Sequence, residues 1–394
     1  MVFAKWSPDV AVAPARPVPP RLPVARVCLV IGQLGLGGAE KQLAVLAAGL
    51  RRRGVDVTVV VLREGGPRED ILRAAGVPLI SLGLPTATRL WRRLAVGVLA
   101  VARLRRTLHR LRPEVVHAFL LHSYVLTAPA ARLAGVPVYV AGRRSLSDYK
   151  ASQRVAGAGE RLATRMTDLL IANAEAVADD VVRTEGVARD KIRVVYNGLA
   201  ESAFVPAPPA ELVSSAPVLL CVANLRRYKG HHYLLDAAAL LRARGLPCTL
   251  ALAGSGPEHE ALRRQADELG LDVRFLGARA DIAALLARAD VAVLPSLTEG
   301  MSNSVMEAMA AGRPVVATAV GGTAELLEGR GVLVPPADAP ALAAGLERVL
   351  RDPVGARLTA AAAREWSHRY LHLDGMVERH VEIYSELLES RCAG

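Results

Sequence analysis

Short apolar segments rich in β-branched residues alternate with helical patterns along most of the 394-residue chain. This alternation is typical of βαβ units, in which parallel strands form a sheet and helices cover both of its faces. Seven strands are predicted in the first half, at residues 26–32, 55–62, 77–82, 115–119, 136–141, 169–172 and 192–196. Six more are predicted in the second half, at residues 218–222, 248–253, 273–276, 291–295, 314–318 and 332–334. The sequence therefore predicts an α/β protein with two doubly wound sheets.

A stretch rich in proline and serine, residues 204–217, separates the two halves and indicates a domain boundary. Ligands of open α/β sheets bind beyond the carboxyl ends of the strands, so two facing sheets would form a cleft that holds one substrate on each side. We expect the final helical segment to pack back on the first domain. The predicted organisation is a flexible proline-rich lead-in at 1–25, a first domain at 26–200, a linker at 201–216, a second domain at 217–365 and a helical segment at 366–394.

Positive charge is concentrated in the first half. Residues 1–200 contain 30 Lys and Arg against 15 Asp and Glu, whereas the remainder contains 19 against 23. This asymmetry favours an anionic partner for the first half, such as a membrane surface or a phosphorylated acceptor. Only 5 of the 49 cationic residues are Lys, so a compositional bias towards Arg on an ordinary solvated surface is the alternative. No nucleic-acid partner is expected, because no recognition motif accompanies the charge.

Residues 89–112 are predicted to form a long basic helix. Its apolar side includes Val98, Leu104 and Leu108, and Arg residues crowd the other positions. A helix that packs on the core with a charged outer face fits this pattern. A helix that lies on a membrane surface, with Trp91 at the interface, fits it as well.

Nothing in the sequence predicts export or membrane insertion. The first 25 residues contain six prolines and no apolar run suited to a signal peptide. No stretch reaches the roughly 18 apolar residues that a spanning helix requires. Three of the four cysteines lie in strand-like runs without metal-ligand spacing, which fits a reducing compartment. The predicted location is the cytoplasm, with peripheral attachment to the inner face of the cell membrane as a further option.

Two glutamates eight residues apart form the strongest candidate site. Glu299 is predicted at a strand end, and Glu307 in the first turn of the next helix. Between them, the backbone N–H groups of Ser302, Asn303 and Ser304 would point outward from a helix N-terminus, which favours anions and phosphate above all. Ser304 and Glu307 also match a capping box, in which Glu307 would only cap its own helix.

A second candidate loop, residues 222–231, follows the first strand of the second half. It contains Arg226, Arg227 and Lys229. Such a cluster at the carboxyl end of a strand suits a diphosphate, although a basic surface loop would have the same composition.

A third candidate loop, residues 32–40, follows the first strand of the chain. It resembles a dinucleotide-binding fingerprint but fails it, because Glu40 stands where the third glycine is required. A dehydrogenase is therefore disfavoured. The glycines would still let a ligand approach the backbone closely, or they would simply permit a tight turn.

Taken together, these segments resemble glycosyltransferase family four, the retaining GT-B enzymes, over nearly the whole chain beyond residue 25. Glu299 and Glu307 match the family's paired glutamates, Lys229 matches the lysine of its strand-and-lysine motif, and residues 37–40 match its glycine loop. The order and spacing of the motifs make the match specific, and they imply a GT-B fold with two Rossmann-like domains facing across a cleft. Further matches are VVYNGL at 194–199, LAGSGPE at 252–258 and GRPVVATAVGG at 312–322.

The resemblance implies transfer of a sugar from a UDP- or GDP-linked donor to a glycan, lipid-linked or small-molecule acceptor, with retention, as in polysaccharide biosynthesis. By the family pattern, Glu307 would bind the ribose hydroxyls, Glu299 the donor sugar and Lys229 the diphosphate. The implied catalytic residues are Glu299, Lys229 and His122. The implied donor-binding residues are Gly37, Gly38, Asn224, Arg226, Lys229, Leu276, Glu299, Ser302, Asn303, Ser304 and Glu307.

Two positions depart from the family pattern. Asn224 stands where many members have Arg, and Arg226 is the residue that could supply that charge. Instead of two histidines one residue apart, the chain has His117 and His122. His122 is the preferred contact for the donor sugar and His117 the alternative, and a hydrogen-bonded structural role is open to either.

No cofactor and no metal are expected. The Asp-x-Asp triplet with which many other transferases hold a metal is absent from the sequence. Lys229, an Arg and the helix terminus would then stabilise the charge that develops on the departing nucleoside diphosphate. Two other functions remain open: a nucleotide-sugar epimerase of GT-B fold, and a non-catalytic scaffold on a membrane. The scaffold would not need the glutamate pair together with Lys229.

Overall fold

The computed structural model describes residues 24–85, 90–147 and 154–392. The predicted lead-in as far as residue 23 and the side chain of Trp91 lie outside the described residues. Within them the chain forms two all-parallel sheets flanked by helices, which confirms the predicted fold class. Each predicted strand is present, and its ends differ from the prediction by no more than two residues.

The N-terminal sheet has seven strands in the order β3-β2-β1-β4-β5-β6-β7. Its strands are β1 (Arg26–Ile31), β2 (Asp56–Val61), β3 (Leu79–Ser81), β4 (Val115–Phe119), β5 (Val138–Arg143), β6 (Leu169–Ala172) and β7 (Ile192–Val194). The helices between them are α1 (Gly38–Arg52), α2 (Glu69–Ala74), α3 (Leu90–Leu111), α4 (Leu121–Leu133), α5 (Arg154–Arg165) and α6 (Glu175–Glu185).

The C-terminal sheet has six strands in the order β10-β9-β8-β11-β12-β13. Its strands are β8 (Val218–Val222), β9 (Thr249–Ala253), β10 (Asp272–Gly277), β11 (Val291–Leu294), β12 (Val315–Thr318) and β13 (Val332–Val334). The helices are α7 (His231–Ala243), α8 (His259–Glu268), α9 (Ile282–Arg288), α10 (Asn303–Ala310), α11 (Gly322–Leu327), α12 (Ala339–Arg351), α13 (Pro353–Tyr370) and α14 (Leu373–Cys392).

Both sheets reverse their strand order at one point, between β1 and β4 in the first and between β8 and β11 in the second. At such a switch point the loops that follow the two central strands turn to opposite faces and leave a crevice. The glycine loop follows β1, the basic loop follows β8 and the glutamate-pair segment follows β11. The sequence motifs therefore lie at the switch points of the two sheets.

The last helix returns to the N-terminal sheet. The predicted helical stretch at the end of the chain is two helices, α13 and α14, because the helix breaks at residues 371–372. Val377 and Tyr384 of α14 are fully buried in the same apolar cluster as the residues of β1 and β2. At Gly49 of α1 an added Cβ would lie 2.4 Å from Val377 Cγ2, so only glycine allows α1 and α14 to pack this closely. Helix α14 thus completes the core of the N-terminal domain.

Helix α3 packs on the core through Ala100, Leu104 and Leu108, which are buried. The prediction that Val98 belongs to this apolar face is wrong, since its side chain is 72% exposed. Val98 precedes Ala100 by two residues, about 200° around a helix, and therefore points to solvent. Among the described residues, no helix combines the length and the apolar character needed to cross a membrane.

Candidate functional site

A cleft of about 1540 Å³ separates the two switch points. We call its lining residues between 33 and 198 the N-terminal wall, and those between 222 and 313 the C-terminal wall. The cleft is lined by ten of the predicted site residues: Gly37, Gly38, Asn224, Arg226, Lys229, Glu299, Ser302, Asn303, Ser304 and Glu307. The two predicted site residues outside the lining are Leu276 and His122.

Lys229 and Glu299 are paired in the C-terminal wall. Lys229 Nζ donates to Glu299 Oε1 at 2.5 Å, and Ser296 Oγ donates to the same oxygen at 2.7 Å. The two charged side chains are only 17% and 10% exposed. Lys229, the residue predicted to bind the diphosphate, and Glu299, the residue predicted to bind the donor sugar, therefore neutralise each other's charge.

A tight backbone contact sets the position of Lys229. It ends the short 3-10 helix Arg227–Lys229, and Gly230 follows in the left-handed conformation with φ 68°. A Cβ at Gly230 would lie 2.0 Å from the carbonyl oxygen of Pro295, so the loop after β8 can pack on the loop after β11 only with glycine here. The amide of Leu297 also donates to the carbonyl of Tyr228 at 2.8 Å. These contacts bring Lys229 and Glu299 together although they are 70 residues apart.

Glu307 does not cap its own helix. Helix α10 begins at Asn303, and its N-cap is Ser302, whose Oγ accepts from the amide of Val305. Glu307 is the fifth residue of the helix rather than part of its first turn. Its Oε1 instead accepts from Lys41 Nζ in the N-terminal wall at 2.5 Å. The capping-box interpretation is therefore wrong, because the carboxylate points across the cleft.

Asn303 links the two walls through amide hydrogen bonds. Its Oδ1 accepts from Asn197 Nδ2 at 2.9 Å and from Gln42 Nε2 at 3.2 Å, while its Nδ2 donates to the Gly38 carbonyl at 3.2 Å. Gln42 also exchanges two hydrogen bonds with the backbone of Gly198. We call Gln42, Asn197 and Asn303 the amide clasp. It holds the start of α10 against the start of α1.

Arg144 supports the amide clasp from inside the N-terminal domain. Its guanidinium donates to Asn197 Oδ1 at 2.7 Å and lies over the ring of Phe119 at 4.6 Å. Arg144 is almost fully buried, and burial lowers its pKa to about 10. The same buried region contains His117 Nδ1, which is 2.7 Å from the hydroxyl of Tyr384 on α14. Burial also lowers the pKa of His117 well below its usual value.

A second cross-domain contact lies beside the cleft. The carboxylate of Glu325 on α11 accepts from the backbone amides of Glu175 and Ala176, the first residues of α6, at 3.0 and 2.6 Å. The hydroxyl of Tyr196 donates to the same carboxylate at 3.1 Å. Burial raises the pKa of Glu325, and these three donors oppose that rise. A residue of the C-terminal domain thus caps a helix of the N-terminal domain.

The two candidate histidines lie in different environments. His117 is inside β4, fully buried, and forms part of the core beneath the cleft. His122 is exposed in the first turn of α4, and neither histidine is among the lining residues. Leu276, in β10, is half-buried and also lies outside the lining, whereas the following residues Ala278 and Arg279 do line the cleft. The contact of His122 with a donor sugar stays a prediction.

Two glycine motifs pack beneath the C-terminal wall. Gly254, in the segment 252–258, has φ 157°, and a Cβ there would lie 2.0 Å from the carbonyl oxygen of Ala223. Gly321, in the segment 312–322, has φ 48°, and a Cβ there would lie 2.0 Å from the carbonyl oxygen of Glu299. Each glycine allows a neighbouring strand-end loop to approach. The motifs therefore support the loops that carry the charged groups.

Sequence reasoning missed Lys41, Gln42 and Arg144, and it gave Asn197 no role. Lys41 and Gln42 directly follow the glycine loop, so their proximity to that motif was the available signal. Arg144 had none, since it is one of several arginines that follow a strand. Among the described residues, no cluster of His, Cys, Asp and Glu has the geometry to hold a metal ion.

Two family models match the chain in consecutive segments. The model described as a glycosyl transferase 4-like domain matches residues 37–198, and the model described as glycosyl transferases group 1 matches residues 216–352. Together they cover both walls of the cleft and well over half of the chain.

The chain belongs to glycosyltransferase family four.

Several relatives of this glycosyltransferase family member are described by their activity. Glycogen synthase of Mycobacterium tuberculosis is 35% identical over 269 residues, which is 64% of this chain and 64% of the relative. The chain thus spans less than two thirds of the length of that relative. The lipopolysaccharide core biosynthesis glycosyltransferase LpsE of Rhizobium meliloti is 28% identical over 80% of this chain and 86% of the relative. The 2-deoxystreptamine N-acetyl-D-glucosaminyltransferase of Streptomyces fradiae is 28% identical over 83% and 86%.

Solved structures agree with the GT-B fold of this family member. Anabaena Alr3699/HepE in complex with UDP-glucose superposes with a TM-score of 0.77 at 25% identity, covering 92% of this chain and all of the other. Sucrose-phosphate synthase from Thermosynechococcus elongatus superposes with a TM-score of 0.76 at 21% identity, covering 93% of this chain and all of the other. The two-domain architecture with a cleft between Rossmann-like halves is therefore that of the family.

Proposed function

We propose that the protein transfers a sugar from a nucleotide diphosphate donor to an acceptor, with retention. The observation that carries the proposal is the arrangement of Lys229, Glu299 and Glu307 at the switch point of the C-terminal sheet. The family's donor-binding motif matches these residues, and the cleft between the domains has room for two substrates. The membership of family four and the named activities of the relatives support the same reaction class.

The proposed roles follow from the charge that develops during transfer. As the bond to the donor sugar breaks, the nucleoside diphosphate gains negative charge, and preorganised cations lower the barrier most when they face that charge. Lys229, assisted by Arg226 and the N-terminus of α10, is proposed to hold the diphosphate. Glu307 is proposed to bind the ribose hydroxyls and Glu299 the donor sugar. Binding of the donor would thus break the Lys229–Glu299 pair, and Lys229 would then contact the diphosphate while Glu299 contacts the donor sugar.

A UDP-linked sugar is the first donor to test, and a GDP-linked sugar the second. The structure of Anabaena Alr3699/HepE contains UDP-glucose, which supports UDP as the carrier. A thermal-shift screen of UDP- and GDP-sugars tests this, because a ligand that binds only the folded state raises its stability by mass action. One nucleotide series should raise the melting temperature at millimolar ligand. A chain that responds to no nucleotide sugar would contradict the proposed function.

The acceptor is proposed to bind at the N-terminal wall. This wall includes Gln33, Leu36, Arg68 and Ile71, which combine apolar surface with hydrogen-bond donors. Such a mixture suits a glycan, a lipid-linked sugar or a hydroxylated small molecule. Incubation of the protein and donor with members of each acceptor class, followed by mass spectrometry of the products, would identify the class.

We further propose that transfer needs no metal ion. The sequence lacks an Asp-x-Asp triplet, and Lys229, Arg226 and the start of α10 are the groups of the C-terminal wall proposed to face the diphosphate in place of a metal. Transfer should therefore continue at an unchanged rate in excess EDTA. Activity that EDTA abolishes, and that magnesium or manganese restores, would contradict this part of the proposal.

Peripheral binding to anionic membranes is proposed through α3. Arg106 and Arg110 are exposed on this helix, as are the side chains of Val98 and Leu99. Each cation near an anionic surface contributes about 1 kcal/mol, screened over a Debye length of about 8–10 Å. The protein should co-sediment with anionic vesicles at low salt and dissociate at high salt. Equal binding to neutral vesicles, or no binding to anionic ones, would mean that the positive charge of the first half reflects composition bias and not membrane binding.

A further inference from the structure

Lys41 and Glu307 form an ion pair across the cleft. Lys41 lies in the first turn of α1 and Glu307 in the middle of α10, so each domain supplies one partner. Their Nζ and Oε1 atoms are 2.5 Å apart, and the side chains are 33% and 14% exposed. Both residues line the cleft. This pair is therefore more shielded from solvent than a typical surface ion pair, which contributes little.

The carboxylate of Glu307 is also the group that the proposed function assigns to the ribose. Two adjacent ribose hydroxyls donate to a carboxylate best when both of its oxygens are available. In the structure Lys41 donates to one of these oxygens, Oε1. The ribose would therefore have to compete with the ammonium group of Lys41 for that oxygen.

We propose that Lys41 is a positioning residue: it holds Glu307 before the nucleotide binds, and the ribose of the incoming nucleotide displaces it. This inference rests on the proposed function. Before binding, Lys41 orients the Glu307 carboxylate and offsets its charge. When the nucleotide binds, the cross-domain contact through Lys41 breaks, and the amide clasp of Gln42, Asn197 and Asn303 keeps the two walls together.

The remaining contacts of α10 support such an exchange. Asn303, four residues before Glu307 on the same helix, is bound to the N-terminal wall through three hydrogen bonds that do not involve a charged group. Loss of the Lys41 contact would therefore leave the position of α10 unchanged. Only the side chain of Lys41 has to move.

Isothermal titration of UDP, or of GDP if UDP does not bind, into four variants tests the proposal as a double-mutant cycle. The variants are the natural protein, Lys41→Met, Glu307→Gln and the double variant. We expect Lys41→Met to tighten nucleotide binding about fivefold, since binding no longer has to break the ion pair; this factor corresponds to about 1 kcal/mol. In the Glu307→Gln background the same substitution should change the affinity by less than about twofold.

Two controls separate the proposal from a general loss of charge or fold. Arg52→Met removes a cation from the same helix, where Arg52 forms an exposed pair with Asp374 at 3.5 Å outside the cleft, and should leave the affinity unchanged. Lys41→Arg keeps the cation and should bind the nucleotide as the natural protein does. Circular dichroism of each variant verifies that it is folded.

Three results would overturn the inference. Weaker binding by Lys41→Met in both backgrounds would mean that Lys41 contacts the nucleotide directly. Weaker binding only when Glu307 is present would mean that Lys41 stays in place and orients the carboxylate for the ribose. Unchanged affinity would mean that the pair does not oppose binding. A natural protein that binds neither UDP nor GDP would contradict the proposed function itself, whatever the variants do.

Discussion

The two walls of the cleft differ in how their polar groups are satisfied. In the C-terminal wall, Lys229 pairs with Glu299, and Ser296, which is buried outside the lining, donates to the same carboxylate oxygen; all three belong to a single domain. On the N-terminal side, Lys41 of the wall and Gln42, which is buried outside the lining, reach across to α10. The C-terminal wall is therefore a self-contained charged site. The N-terminal wall controls where that site stands relative to the other domain.

We infer from this difference that the C-terminal wall carries the charged groups used in transfer, whereas the N-terminal side aligns the two domains. Substitutions of the charged groups in the C-terminal wall should act mainly on turnover and nucleotide binding, because these groups are proposed to face the donor. Substitutions in the amide clasp and behind the N-terminal wall should act mainly on stability and on the coupling between domains. The four predictions below test this division, in order of decreasing effect.

Lys229→Ala should lower turnover about 100-fold, because one charge-assisted contact to a diphosphate contributes roughly 1.5–3 kcal/mol. Steady-state kinetics with the identified donor measures the effect. The matched control is Lys191→Ala, which removes a half-buried lysine outside the cleft that donates to the Thr164 carbonyl at 3.2 Å. Near-normal kinetics of Lys229→Ala would contradict the proposal that Lys229 binds the diphosphate.

Acid should destabilise the protein through the histidines behind the N-terminal wall. Burial lowers the pKa of His380 on α14 to about 3, while the unfolded chain titrates near its ordinary value of about 6.5. Since the folded-state pKa is depressed, the contribution of neutral His380 is complete above pH 6.5 and is lost as the pH falls towards 3. The loss at pH 5 should be about 2 kcal/mol.

Urea unfolding at pH 7.5 and pH 5 measures this loss, and His380→Gln should reduce the difference between the two pH values by about 2 kcal/mol. His259→Gln is a matched control, since His259 is partly exposed on α8. An equal pH dependence of the natural protein and His380→Gln would show that this buried histidine does not titrate on unfolding.

Glu307→Gln should weaken nucleotide binding about tenfold, because a neutral amide offers one acceptor oxygen and no charge to the ribose hydroxyls. Isothermal titration measures the affinity. Glu347→Gln on α12, whose carboxylate bonds to Arg244 and Arg351 outside the cleft, should leave it unchanged. If the two variants bind the nucleotide equally well, Glu307 is not a ribose ligand.

Asn303→Ala should lower the free energy of unfolding by about 1 kcal/mol, because Asn197 and Gln42 each lose an acceptor while Gln42 keeps its bonds to Gly198. Gln42→Ala should cost a similar amount. The double variant should cost less than the sum of the two single variants if the amide clasp acts as a unit. If the two losses of stability are strictly additive, Asn303 and Gln42 stabilise the contact between the walls independently of each other.

The sequence predicted the parts of this molecule that depend on local patterns. The strands were predicted from short apolar runs, and the C-terminal wall from motifs that follow the ends of β8 and β11. The glycine positions could be explained only in the structure, since Gly230 and Gly321 are required by carbonyl groups that belong to distant loops.

The contacts across the cleft could not be predicted. Lys41 and Glu307 are 266 residues apart, and their meeting depends on how two separately folded sheets are joined. The capping box failed because two serines, Ser302 and Ser304, both suit an N-cap. In the structure α10 begins at Asn303, and Ser302 is its cap. A local pattern cannot choose between such positions.

The return of α14 to the N-terminal sheet has a consequence for synthesis. The first domain to leave the ribosome lacks the residues that cover one face of its sheet, because Val377 and Tyr384 belong to its core. The C-terminal domain can bury its own apolar cluster earlier, since that cluster ends at α12 and α13. The half of the chain that is made first is thus finished last. A nascent chain that stops before residue 373 would expose to chaperones and proteases the face of α1 around Gly49 that α14 covers in the complete fold.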